Sequence, residues 1–268
     1  MNLKTIWRTL VAVLVLIIAP LKVISNFVNI KFVESQWYAV VAMTVVLLIA
    51  LVVARENFST NNMKLMEINK NIFLGFSSIL VSLSFFWCIS VYYSDTTQYD
   101  FEWQPVAMAI LSILSCISFL IMAIVFFTGK NIFAKVPFFL FCPIYWFTLD
   151  MILFLSIQND NNDIYDICLT GFLALFFVYY SQIFATSSDS NIIKKLLMTG
   201  VPCIGFNIIK SAPVFINYLK DSSSVKPVSL ATCTMETLVV MYIIFVIINI
   251  KSQIDSKNNI NNNQEITV

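Results

Sequence analysis

The chain has 268 residues, of which 59% are apolar and 12% charged, and its formal net charge is +1. Soluble domains carry about a quarter of their residues as charges, so this composition, with a mean hydropathy of +0.84, excludes an ordinary soluble domain and a basic nucleic-acid binder. There is no histidine, the side chain most used for proton transfer at neutral pH and for metal ligation.

Apolar runs of about 20 residues cross a bilayer as helices, and eight such runs follow one another here. The first, Ile6–Val28, lies behind Lys4, contains Arg8 and carries Lys22, Ser25 and Asn26 towards its far end. No small-residue cleavage site follows it, so it reads as a retained helix and not as a signal peptide. The second is Trp37–Ala54, closed by Arg55 and Glu56. A polar loop leads to the third, Ile72–Tyr93, and the acidic loop Ser94–Gln104 to the fourth, which Pro105 opens and Thr128 closes. Proline suits a first helical turn, where its missing N–H costs nothing. A basic turn, Gly129–Lys135, precedes the fifth run, Val136–Ile157, with Pro143, Trp146 and Asp150 inside it. The acidic loop Gln158–Asp163 precedes the sixth, Ile164–Thr186. The seventh, Lys194–Lys220, is the least apolar, with Gly200, Pro202, Gly205, Asn207, Lys210 and Pro213. The eighth is Ser229–Ile250, and the polar remainder lacks the apolar content to pack.

Charge distribution orients the spans, because short cytoplasmic loops collect Lys and Arg. With the N-terminus inside, eleven cations are cytoplasmic: Lys4, Arg8, Arg55, Lys64, Lys70, Lys130, Lys135, Lys194, Lys195, Lys251 and Lys257. Three are outside: Lys31, Lys220 and Lys226. Trp7, Trp37 and Trp103 then fall at interfaces, where aromatic belts form. The expected fold is an all-α polytopic membrane protein, a bundle of about eight transmembrane helices with both termini cytoplasmic. Residues 1–250 form one membrane domain and residues 251–268 a disordered cytoplasmic tail.

Ionisable groups inside spans mark sites by default, because they are expensive there. Asp150, Lys210 and Glu236 lie seven to nine residues from the outer ends of their spans, roughly 10–14 Å deep at 1.5 Å per residue. Lys22 is somewhat shallower. On the seventh span Cys203, Asn207, Lys210, Ser211 and Asn217 share one helical face. Lys210, Asp150, Glu236, Asn207 and Lys22 are therefore the candidate residues of a solute site or an ion pair. Asp150 is the favoured partner of Lys210, because Thr234 and Thr237 flank Glu236 and suggest that it stays hydrated. The six cysteines form no CxxC pair, and no phosphate loop, HExxH or GxSxG is present. No metal, cofactor or enzymatic activity is expected.

Heavy use of Ile, Asn, Lys and Phe with few Gly residues points to an AT-rich genome, most simply that of a low-GC bacterium. TGKNIFAKVP, PIYWF and SDSNIIKKLLMTGVP resemble a group of multi-span membrane proteins of low-GC Gram-positive gut bacteria, over roughly residues 105–219. The resemblance implies a bacterial plasma-membrane protein and transfers no activity or functional residue. Two functions stay open. One is binding or transport of a small charged or zwitterionic solute. The other is a structural or accessory role beside a membrane-protein partner, with no solute site. The lipid bilayer is a partner in both, and nucleic acid in neither.

Overall fold

The computed structural model describes residues 44–46, 69–94, 103–156, 163–184, 190–222 and 225–265. They form six long helices: α1 (Ile72–Ser94), α2 (Trp103–Thr128), α3 (Cys142–Ser156), α4 (Asp163–Phe184), α5 (Ser190–Lys220) and α6 (Pro227–Glu265). No strand occurs among the described residues. All six helical segments, α3 together with the turn before it, are long and apolar enough to cross a membrane. They correspond to the third to eighth apolar runs. The first run, with Lys22, lies outside the described residues. Of the second, residues 44–46 are helical, and Val46 packs on α5 at Gly205. A Cβ placed there would lie 3.0 Å from either Val46 methyl group.

Two boundaries differ from expectation. The fifth span was expected to be helical from Val136, but Pro137–Leu140 winds as a 3-10 turn and α3 starts at Cys142. Pro143 has no N–H to return to an earlier carbonyl, so the α-helix begins beside it. At the other end of the chain, α6 continues to Glu265, through residues expected to form a disordered tail. Residues 251–265 contain neither Gly nor Pro, and an existing helix adds one hydrogen bond per residue fixed. The extension presents exposed Lys251 and Ser252. Truncation after Gln253 is expected to leave the amount of folded protein in membranes unchanged, measured by fluorescence-detected size exclusion; a large loss would show that the extension docks.

Helices consecutive in sequence pack side by side, and α6 returns to α1, so the six close into a ring. The ties at one end show their alternation. Asn71 caps α1 through its Oδ1, which accepts from the Leu74 N–H at 3.1 Å, and its Nδ2 donates to Asn249 of α6 at 3.0 Å. The Asn71 N–H donates to the Phe126 carbonyl of α2. Nearby, Asn131 Nδ2 donates to the Phe184 carbonyl at the end of α4. Between them Gly129 adopts φ 72° and donates its N–H to the Val125 carbonyl. Only glycine takes this left-handed conformation without a Cβ penalty, and it closes α2 as a C-terminal cap.

The ring is apolar outside and mixed inside. On α2, exposed Val106, Ile110, Ile113, Ile117, Leu120 and Ile124 recur every three or four residues. Ser112, Ser115 and Ser118 occupy the opposite, buried face. Lipid is as apolar as the outer stripe, so association rests on packing and on small polar residues between helices. Aromatic rings fill the centre. Phe119 stacks on Phe85 of α1 and meets Phe177 of α4 and Tyr242 of α6 edge-on, with centroids 5.6–5.7 Å apart. The three buried polar tips in this cluster are bonded, Trp146 Nε1 donating to Ser112 Oγ and Tyr180 bonding Tyr242, each at 2.7 Å.

Candidate functional site

At the opposite end of the ring from Asn71, α5 and α6 bring a cation and a carboxylate together. Lys210 Nζ donates to both oxygens of Glu236, at 2.9 and 2.6 Å. A second carboxylate, Asp166 near the start of α4, reaches Nζ with Oδ1 at 2.5 Å. The Phe154 ring of α3 lies on another side, 5.6 Å from Nζ to its centroid, close enough for a cation–π contact. Three carboxylate oxygens thus surround an ammonium group that has three hydrogens. Glu236 is fully buried, whereas the Asp166 side chain keeps 16% of its surface exposed.

The pairing corrects the expectation that Lys210 meets Asp150. Depth was matched, but the order of helices around the ring decides. α5 packs against α4 and α6, whereas Asp150 sits on α3, between α2 and α4. Glu236 is also not hydrated as expected, since α6 turns it into the ring. Thr234 and Thr237 give their hydroxyl hydrogens to α6 carbonyls of Leu230 and Cys233, and so provide no wet surrounding. Asp150 is 6% exposed, and its Oδ2 has no hydrogen-bond partner among the described residues. It lies outside the pair that Lys210 forms.

Asn207 lies one turn from Lys210 and is 5% exposed. It accepts from Ser211 at 2.9 Å and faces Thr237 of α6 at 3.4 Å, which locks α5 to α6 beneath the ion pair. The polar face expected on the seventh span is real: Cys203, Asn207 and Ser211 are buried, and Asn217 reaches the cavity described next. Asp166 was missed. It lies two residues past the expected start of its span, where a carboxylate reads as part of an acidic loop. The one available signal was Thr170, a turn away on the same face and fully buried.

A cavity of about 330 Å³ opens over the cluster, walled by α3 to α6, with Phe154, Asp166, Lys210, Asn217 and Thr232 among its lining residues. Its volume is at the lower end of the range for small-molecule sites. The architecture is that of an integral membrane protein, a helical ring with an apolar exterior and a charged cavity near one end. No protein-family model, curated protein or solved structure matches this chain.

Proposed function

We propose that the chain is a multi-pass protein of a bacterial plasma membrane that binds or moves a small charged or zwitterionic solute, without catalysing a reaction on it. Eight spans with both termini cytoplasmic place the cavity on the outer side. The observation that supports this reading most is the cavity itself, with an ion pair of Lys210 and Asp166 in its wall. A packing device needs no such space. In a background with the six native cysteines replaced, Thr232→Cys is expected to react from outside with a membrane-impermeant, positively charged methanethiosulfonate. Among the described residues the Thr232 hydroxyl bonds its own helix, at the Val228 and Ser229 carbonyls, so this substitution leaves the ion pair intact.

One observation favours a second reading, a structural or accessory subunit. Lys210 is already surrounded by protein oxygens, as a pair that fixes helix order requires. An unreactive Thr232→Cys would decide for that reading. The orientation has its own test in the same background. Single cysteines at Asp100 and Asp163 are expected to react with an impermeant reagent from outside, and those at Lys130 and Ser190 only after permeabilisation. Outside labelling at Ser190 would remove the seventh span.

A further inference from the structure

The bonding capacity left in the cavity wall indicates the charge of its occupant, an inference that rests on the cavity reading above. Among the described residues Lys210 is the only cation in the wall; it donates to both oxygens of Glu236 and lies in ion-pair range of Asp166. Binding an anion there would pull it from a carboxylate with no access to water, leaving that charge buried and unpaired. What the wall can still offer is acceptors. Asp166 meets Lys210 through Oδ1, which leaves Oδ2 free of that contact. Thr232 donates its hydroxyl hydrogen to the Val228 carbonyl at 2.9 Å, so its oxygen retains lone pairs. Phe154 offers a ring face that already attracts one cation, and Pro213 and Val214 add apolar surface. Glu236 directly behind the wall brings the cluster to two carboxylates against one ammonium.

We propose that the cavity takes a small organic cation, an alkylammonium or the amino end of a zwitterion, seated on Asp166 and Thr232 with its carbon chain along Phe154, Pro213 and Val214. The test is the thermal unfolding midpoint of the purified full-length protein, titrated with ethylammonium chloride, sodium acetate or sodium chloride at matched ionic strength. A ligand that binds only the folded state raises the midpoint in a saturable way. Ethylammonium is expected to do so, and acetate and sodium chloride are not. Asp166→Asn is expected to weaken the apparent affinity about tenfold or more, the usual effect of losing a hydrogen bond to a charged group. Should Asp166→Asn fold poorly, Ser229→Leu fills the cavity without touching the ion pair and is expected to abolish the response. The proposal is overturned if acetate stabilises and ethylammonium does not, if neither acts, or if Ser229→Leu retains the full ethylammonium effect. Thr232→Cys then separates the causes. A reactive cysteine leaves a water-filled cavity with a different occupant, and an unreactive one removes the cavity reading as well.

Discussion

Lys210→Met is expected to destabilise the folded protein by about 3–5 kcal/mol, the usual cost of removing one partner from a buried ion pair. The loss comes from Glu236, which is wholly buried and has both oxygens on Lys210. Asp166 suffers less, because its side chain borders the cavity and keeps some exposure. Lys210→Met combined with Glu236→Gln is therefore expected to recover most of the loss. Lys210→Met with Asp150→Leu is expected to recover little, since Lys210 donates to Glu236 and sits in ion-pair range of Asp166, and the Asp150 Oδ2 has no hydrogen-bond partner among the described residues. Detergent-induced unfolding of the four proteins, wild type included, measures the cycle. Recovery with Asp150→Leu and not with Glu236→Gln would overturn the pairing.

Phe119→Ala should have the second largest effect, about 2–3 kcal/mol. A buried Phe→Ala substitution costs about 3–5 kcal/mol in a water-soluble core. Part of that is transfer from water, which a bilayer reference state largely lacks because lipid is itself apolar. The lost packing remains, and Phe119 packs against rings from three other helices. Phe73→Ala, at a position 74% exposed on the outer face of α1, is the control and should cost about 0.5 kcal/mol or less. Equal losses at both positions would mean that the ring centre is not the packed core.

The third to eighth apolar runs were legible because each is long enough to span and is bounded by polar turns. The polar face of the seventh span was legible too, since Asn207, Lys210 and Ser211 repeat at helical spacing. Partner choice was not. Counting residues from a span end gives depth, and Asp150 and Glu236 have nearly the same depth. Which of them meets Lys210 depends on which helix lies beside α5, and that is α6, the next in the chain, and not α3. Asp166 escaped for a related reason. Near a helix end a carboxylate inside the bundle and one in the loop look alike in sequence, and only the neighbouring lysine separates them.

The aromatic centre also sets how tightly the protein insulates. Tyr242 lies six residues beyond Glu236 on α6, about 9 Å along the axis. It closes the ring there together with Phe119 and Tyr180. Beneath the cavity lies a floor of rings. Phe119 of α2 holds Phe177 of α4 and Tyr242 of α6 at once, so opening this floor at α2 separates both contacts in the same movement. If the cavity serves transport, as proposed, each crossing takes one such rearrangement and not a standing pore.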